Sequence, residues 1–317
     1  MEKRARMEKN NEIRKMKGRT SGLILRGLCM GIADVIPGVS GGTIALIMGI
    51  YDELVQTIAS IDRRLLKALV RFKLREVSRL LNAGFIFPLL FGIVLAIALF
   101  AKIITYLLTT FPQPVWGFFT GLIVASAIYV FRQIEGKLNS LRLITLLSGA
   151  CFGYGVTLLV PVETGTESFK FVLAGMIAIC AMILPGISGS FLLVIMGKYQ
   201  QVFSAVHEGN IEIILLFVVG AVSGLLIFSR LLKRLLLRHQ AITMAFLVGL
   251  MLGSVRKVWP FRKVVEERVV GSKVLVLQDE CIFPSSMTNE VWVTSLLAVG
   301  GFALVFLLER LGSRQPS

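Results

Sequence analysis

The chain has 317 residues, of which 55% are hydrophobic and 17% charged, and its formal net charge at pH 7 is +15. A soluble domain of this length could not bury so much apolar surface, so the composition indicates a polytopic membrane protein. The positive residues lie in a few segments between apolar runs, as the positive-inside rule produces, and we therefore expect no nucleic-acid partner.

The chain begins with a basic segment, residues 1–20, that has no short apolar core followed by a small-residue cleavage site. We expect this segment to be cytoplasmic rather than a cleaved signal peptide. Residues 22–36 are then apolar for about fifteen positions, which as a helix span roughly 22 Å, short of the ~30 Å hydrocarbon core. This run is predicted to enter the membrane without crossing it.

The chain contains an internal duplication. Residues 33–51 recur 148 positions later as residues 181–199, with nine of nineteen positions identical. In each copy an apolar run is cut by Pro-Gly-x-Ser-Gly and resumes at once, which predicts helix, break, helix. A weaker match at a spacing of 128 pairs Gly92, Phe100, Phe118, Gly121, Ser126 and Val130 with Gly220, Phe228, Phe246, Gly249, Ser254 and Val258. We predict two repeats, residues 21–160 and 161–310.

The first repeat carries an insertion, residues 60–82, in which basic residues alternate with apolar ones at roughly helical spacing. This pattern is typical of an amphipathic helix on an anionic leaflet, and its plainer interpretation is a cytoplasmic topology determinant. Both ends of the first broken helix are thus basic and belong in the cytoplasm. The first break is therefore predicted to be the tip of a re-entrant hairpin.

The remaining apolar runs predict six full spans. They lie at about 84–109, 115–133 and 142–160 in the first repeat and at about 211–230, 240–255 and 291–309 in the second, after a second re-entrant hairpin at about 168–206. Three spans per repeat invert the second copy relative to the first and place both termini in the cytoplasm. The predicted fold is an all-α polytopic membrane protein with an inverted-topology repeat, each half a re-entrant helical hairpin plus three transmembrane helices.

One loop fits the charge rule poorly. Residues 256–290 are predicted to be external, yet they contain six basic residues against five acidic ones. Within this loop KVLVL (residues 273–277) indicates a strand, which would form a hairpin with the VVEERVV run.

The two breaks predict an anion site. New helices would begin inside the membrane at Thr43 and Phe191, and the first N–H groups of a helix have no internal partner. The residues expected to bind a phosphate or carboxylate are Ser40, Gly41, Gly42, Thr43, Ser188, Gly189 and Ser190, and the helix breaks are Pro37, Gly38, Pro185 and Gly186. The structural alternative is a motif that only kinks the helix or allows close helix packing.

Two charged residues lie near the first break. Asp34 is predicted at mid-depth, where a carboxylate must be paired, protonated or hydrated, and Met182 is its counterpart in the repeat. We expect Asp34 to be protonated while an anion is bound and to act in proton coupling; the alternative is a structural cap for Ser40 or backbone donors. Arg26 would either attract the anionic group at the inner mouth or extend to the interface.

The sequence offers no catalytic or metal-binding constellation. Three of the four cysteines lie in apolar runs, and His207 and His239 are expected in loops. Since no nucleophile with a base and no carboxylate pair falls at mid-depth, we expect no cofactor, no metal and no enzymatic activity such as that of a lipid phosphatase.

The first break and its flanks resemble a known family motif. Arg26-Gly27, MGIADVIPGVSGGTIALI (residues 30–47) and residues 49–51 are similar to the first motif of the bacterial polyprenyl-phosphate transporters, the PopT group, formerly a domain of unknown function. Residues 184–190 with 197–199 look like the second motif. The resemblance covers roughly residues 20–310.

The resemblance implies a lipid transporter, or flippase, of the bacterial cytoplasmic (inner) membrane. Its expected substrate is undecaprenyl phosphate, moved from the outer to the inner leaflet so that the carrier lipid is reused in cell-wall assembly. Membrane lipids are then its surroundings, and protons a candidate coupling ion. The motif itself does not distinguish a lipid phosphate from inorganic phosphate, so the alternative is a small-anion transporter or channel.

Overall fold

The computed structural model describes residues 2–36, 39–134, 136, 139–162, 164–165, 167–270 and 273–312. Its helices are α1 (Glu2–Val35), α2 (Gly41–Ile47), α3 (Tyr51–Ala59), α4 (Arg63–Val70), α5 (Leu74–Leu80), α6 (Ala83–Thr110), α7 (Pro112–Arg132), α8 (Ser140–Thr157), α9 (Ser168–Ile183), α10 (Gly189–Ile195), α11 (Tyr199–Glu208), α12 (Ile211–Val258) and α13 (Asn289–Gly312). The strands are β1 (Arg262–Val270) and β2 (Lys273–Cys281). We call α1–α3 the first broken segment and α9–α11 the second.

Four of the described helices, α6, α7, α12 and α13, are long and apolar enough to cross a membrane. They expose large apolar side chains, among them Phe91 and Ile103 on α6 and Leu296 on α13. Such an apolar exterior is stable in hydrocarbon and not in water. The protein is therefore a helical membrane protein, as its composition predicts, and the count of six spans stays a prediction.

Helix α12 covers two of the predicted spans. Its 48 residues would extend about 72 Å if straight, more than twice the hydrocarbon thickness. His239 interrupts it with non-helical angles, φ −138° and ψ 47°. The segment before His239 packs on α9 through Gly220, and the segment after it packs on α8 through Gly249. The loop predicted between the spans at 211–230 and 240–255 is therefore helical, apart from the kink at His239.

Equivalent close contacts between helices occur in both repeats. A Cβ added to Gly92 of α6 would collide with the carbonyl oxygen of Ile24 in α1. A Cβ added to Gly220 of α12 would collide with that of Val172 in α9. Val172 lies 148 positions after Ile24, and Gly220 lies 128 positions after Gly92, so the two contacts join equivalent residues of the duplication. Small residues let backbones approach closely, which is how helices pack in lipid.

A second pair of contacts joins the two repeats. Gly301 of α13 lies against the carbonyl oxygen of Phe118 in α7, and Gly149 of α8 lies against that of Phe246 in α12. Phe118 and Phe246 are partners in the weaker sequence match. The second long helix of each repeat therefore packs against the last helix of the other.

Each broken segment contains a turn that the sequence interpretation missed. The helix, break, helix pattern predicts a single helix after each break, whereas α2 and α3 are separated by a turn at Gly49, where φ is +67°. Gly197 turns the second segment in the same way, with φ +63°. This left-handed conformation favours glycine because it has no Cβ.

The insertion at residues 60–82 forms two short helices rather than one. Asp62 caps α4 by accepting a hydrogen bond of 2.8 Å from the Arg64 N–H, and Phe72 turns the chain before α5 with φ +51°. Val70, Phe72 and Leu74 are exposed at this turn. The prediction of one continuous amphipathic helix is wrong because the left-handed turn at Phe72 separates α4 from α5.

The predicted strands form an antiparallel hairpin, with Arg262 opposite Cys281 and Val270 opposite Lys273. The indole of Trp259, just after α12, donates a hydrogen bond of 3.0 Å to the Ile282 carbonyl. The hairpin is thereby fixed to the end of α12.

Candidate functional site

The first break lies between α1 and α2. Pro37 and Gly38, which were predicted to form it, lie outside the described residues. Helix α2 begins at Gly41, two residues before the predicted start at Thr43. Its seven residues are all buried.

Side chains of the protein itself bind the first N–H groups of α2. The Asp34 carboxylate accepts a hydrogen bond of 2.7 Å from the Gly41 N–H. The Ser40 hydroxyl accepts one of 3.1 Å from the Gly42 N–H. A helix start attracts anions, and here a carboxylate of the same chain occupies that position. Asp34 therefore makes the capping contact that the alternative, structural role predicts for it.

The first break contacts the second directly. The Ser40 hydroxyl donates a hydrogen bond that is shared between the carbonyl oxygens of Met182, at 3.1 Å, and Leu184, at 3.2 Å. The Gly186 N–H donates a hydrogen bond of 3.0 Å to the hydroxyl of Thr43. Ser40 and Thr43 are 2% and 0% exposed, so these bonds satisfy groups that have no access to water.

Two further residues hold the breaks together. The buried Tyr51 hydroxyl donates a hydrogen bond of 3.1 Å to the Ile183 carbonyl. A Cβ on Gly42 would lie 2.6 Å from the same oxygen. Glycine is therefore required at this position by the approach of α9 to α2.

The second break differs from the first. The chain turns at Pro185 and Gly186, whose φ is +92°, and α10 begins at Gly189, two residues before the predicted start. The hydroxyls of Ser188 and Ser190 lie 2.8 Å apart. Ser188 makes no side-chain cap, and Met182 takes the place that Asp34 has in the first copy. The start of α10 thus lacks the carboxylate that binds the start of α2.

A cavity of about 730 Å³ lies beside α10; we call it the α10 cavity. Its lining is Thr157, Leu158, Leu159, Val160, Pro161, Ser190, Phe191, Val194, Tyr199, Arg256, Lys257, Arg262, Val264 and Asp279. Ser190 connects this lining to the second break. Apolar and cationic side chains therefore meet next to a predicted anion site.

A second cavity, of about 420 Å³, lies beside α2; we call it the α2 cavity. Leu46 and Tyr51 line it, and their counterparts in the repeat, Val194 and Tyr199, line the α10 cavity. Asp52 and Arg142 provide its charged groups. Each break therefore has a cavity next to the short helix that follows it.

Comparison with known proteins identifies the family. Residues 30–274 match the family model described as VCA0040-like, undecaprenyl phosphate translocase-like. The chain belongs to this family. The match includes both breaks and most of the lining of the two cavities.

Two relatives of this chain are named polyprenyl-phosphate transporter. The relative from Vibrio cholerae serotype O1 is 44% identical over 306 residues, which cover 93% of this chain and 99% of the relative. The relative from Staphylococcus aureus is 31% identical over 257 residues, covering 75% of this chain and 85% of the relative. No solved structure matches the chain significantly.

Arg26 lies apart from the other predicted site residues. It is half-buried in α1, eight residues before Asp34, a separation of about 12 Å along a helix. Residues 40–43 meet residues 182–186 of the second break, and Ser188, Gly189 and Ser190 follow directly at the start of α10.

The histidines do not lie in loops as expected. His207 is in the last turn of α11, and His239 forms the kink of α12. In the described part of the chain, no group of three His, Cys, Asp or Glu residues could hold a metal ion.

Sequence reasoning missed the cations of the α10 cavity. Arg256, Lys257 and Arg262 were counted only as misfits to the charge rule in a predicted external loop. The available signal was that misfit itself, since basic residues on the external side need a reason other than topology.

Proposed function

We propose that this protein carries undecaprenyl phosphate across the bacterial cytoplasmic membrane, from the outer to the inner leaflet, so that the carrier lipid is reused. The observation that carries the proposal is 44% identity, over 93% of the chain, to a relative named polyprenyl-phosphate transporter. Because both relatives are named as transporters, we propose a transporter rather than an enzyme.

We also propose that the two repeats are inverted in the membrane, each with a re-entrant hairpin. The contacts of Gly92 with Ile24 and of Gly220 with Val172 support the duplication on which this proposal depends, since equivalent residues make equivalent contacts. The reciprocal packing of α7 with α13 and of α12 with α8 supports it as well. Inverted repeats bring broken helices together near the bilayer midplane, where transporters bind their substrates.

The phosphate headgroup would bind where the breaks meet. The proposed contacts are the hydroxyl and N–H groups of Ser40, Gly41, Gly42, Thr43, Ser188, Gly189 and Ser190. An unpaired phosphate in hydrocarbon is costly, and convergent donors lower that cost. The start of α10, which has no carboxylate of its own, is the more accessible half of this site.

Asp34 would couple transport to protons. Its carboxylate lies 2.7 Å from the Gly41 N–H, a donor that the phosphate also needs. Two anions cannot share this donor, so the phosphate binds when Asp34 is protonated, and Asp34 releases its proton when the phosphate leaves. Arg26 would attract the headgroup toward the inner mouth.

The test is transport by the purified protein in proteoliposomes, with a short-chain polyprenyl phosphate as substrate. Ser40→Leu and Ser188→Leu should abolish transport, because a bulky apolar side chain removes a donor and fills the site. Ser148→Leu is the matched control, since Ser148 is an exposed serine of α8.

Three outcomes would contradict the proposal. Unchanged transport by both site variants would mean that the breaks are only structural. Equal competition by inorganic phosphate would favour a small-anion carrier, and release of inorganic phosphate from the lipid would indicate an enzyme.

A further inference from the structure

The α10 cavity collects three cations around one carboxylate. Arg256 and Arg262 lie 3.4 Å and 3.1 Å from the two carboxylate oxygens of Asp279. The side chains of Arg256, Arg262 and Asp279 are 15 to 19% exposed. With Lys257 on the same wall, positive charge exceeds negative charge in a space that is partly closed to water.

Lys257 is the cation whose charge is least compensated. Its ammonium lies 4.3 Å from the centre of the Phe191 ring. Within the described ranges, no carboxylate comes within salt-bridge distance of it. A cation–π contact compensates only part of the cost of removing an ammonium from water, so Lys257 favours an added anion.

The rest of the wall suits an apolar chain. Leu158, Leu159 and Val160 follow the end of α8 and are about half exposed, at 50%, 52% and 45%. Phe191 and Val194 continue the apolar surface along α10. A ligand in this cavity can therefore place an anionic end among the cations and an apolar chain along the neighbouring wall.

The cavity also opens onto the proposed transport path. Ser190 lines it, and the Ser190 hydroxyl is 2.8 Å from that of Ser188 at the second break. An anion held by Lys257 would thus lie next to donors of the midplane site.

We propose that Lys257 and Arg262 form a capture site for the phosphate headgroup of a lipid, on the side of the membrane where the β-hairpin lies. This inference rests on the proposed function and adds to it the residues that first bind the substrate. The hairpin has a direct role, because β1 provides Arg262 and β2 provides Asp279.

Asp279 regulates this site by competing for the same cations. Its carboxylate holds Arg256 and Arg262 in place while no substrate is bound. An arriving phosphate presents more oxygen acceptors than a carboxylate and takes over these contacts. Asp279 then keeps the resting site from binding weaker anions tightly.

The experiment measures equilibrium binding to the full-length protein in detergent. The probes are farnesyl phosphate, inorganic phosphate and farnesol, which separate the lipid headgroup from the free anion and from the chain alone. Lys257→Gln and Arg262→Gln should each weaken farnesyl phosphate binding about tenfold, since each removes a charge-assisted hydrogen bond. Asp279→Asn should strengthen binding, because it removes the competing anion.

Lys263→Gln is the matched control. It removes the same charge from the next residue of β1, where the side chain is exposed and does not line the cavity. It should bind farnesyl phosphate like the wild type. Arg262→Lys, which keeps the charge, should retain most of the affinity, and a thermal unfolding scan of each variant separates misfolding from lost binding.

The outcomes distinguish the two proposals. If the wild type binds farnesyl phosphate but Lys257→Gln and Arg262→Gln bind it equally well, the capture site is wrong and the transport proposal stands. If Lys263→Gln weakens binding as much as they do, the effect is one of overall charge and the capture site is also wrong. If the wild type binds no lipid phosphate, the proposed function itself is contradicted.

Discussion

Asp34 combines two roles that chemistry can separate. As a hydrogen-bond acceptor it caps α2 through the Gly41 N–H, and as an acid it can exchange a proton. An asparagine in its place keeps the acceptor oxygen and loses the proton. The two roles therefore predict different results for asparagine and alanine.

Asp34→Asn should keep the thermal stability of the protein and abolish the pH dependence of transport. Asp34→Ala should lose about 1 kcal/mol of unfolding free energy as well, because it removes the cap. The measurements are thermal unfolding in detergent and transport in proteoliposomes over a range of pH. A wild-type pH profile in Asp34→Asn would show that another group carries the proton.

The two break serines should respond unequally to alanine. Ser40 binds the Gly42 N–H and the carbonyl oxygens of the second break, so Ser40→Ala should lower the unfolding free energy by about 1–2 kcal/mol. The Ser188 side chain makes one hydrogen bond among the described residues, to the Ser190 hydroxyl, so Ser188→Ala should lower the unfolding free energy by only about 0.5–1 kcal/mol while it slows transport. Denaturation and transport assays on both variants test this. Equal loss of stability would mean that Ser188 is as structural as Ser40.

Between elements, the packing depends on glycines that face carbonyl oxygens. Gly300 and Gly301 are neighbours in α13 and differ in this respect. A Cβ on Gly301 would collide with the Phe118 carbonyl oxygen, whereas a Cβ on Gly300 would meet nothing within 4 Å. Backbone contact of this kind leaves the neighbouring helix no rotamer with which to adapt.

Gly301→Ala should destabilise the protein by about 1–3 kcal/mol, because α13 must move away from α7. Gly300→Ala should be neutral or stabilise by up to about 1 kcal/mol, since alanine favours helix. The midpoints of thermal unfolding of the two variants, measured in the same detergent, give the comparison. Similar midpoints would show that α7 and α13 are not in backbone contact at Gly301.

The sequence predicts the elements whose signals are local. Pro185 and Gly186 mark the second break, the short run KVLVL at residues 273–277 marks a strand, and both are found. The turn at Gly49 was missed because the residues around it are continuously apolar and a single glycine is compatible with a helix. The hydrogen bonds of Ser40 to residues 182 and 184 were out of reach, since they depend on how two distant helices pack.

At the scale of the whole molecule, loops predicted on the same side of the membrane lie together. The α2 cavity joins Asp52 of α3 to Gln133, Arg142 and Gln240, which flank two loops predicted to be cytoplasmic. The α10 cavity joins the end of α8 and the β-hairpin, both predicted to be external, to α10, which belongs to the hairpin predicted to enter the membrane from outside. Each cavity therefore gathers segments from one predicted side of the membrane. This agreement comes from the packing of the helices and not from the charge rule.

This grouping leads to a prediction of topology. Single cysteines at positions 73, 208 and 263 would report the insertion, the end of α11 and the β-hairpin, because all three positions are exposed. The native cysteines to be replaced first are Cys29, Cys151, Cys180 and Cys281. With inverted repeats, a membrane-impermeant maleimide should label Glu208→Cys and Lys263→Cys in intact cells, and Lys73→Cys only after permeabilisation.

The comparison of positions 73 and 208 is decisive because position 73 follows the return arm of the first broken segment and position 208 ends that of the second. A direct repeat would return both arms to the same face, and an inverted repeat returns them to opposite faces. Labelling of both positions from one side would therefore exclude inversion, and the two breaks could not then enter the bilayer from opposite leaflets to meet. Labelling of position 263 together with position 208 would further place the α10 cavity on the face where a lipid phosphate of the outer leaflet arrives.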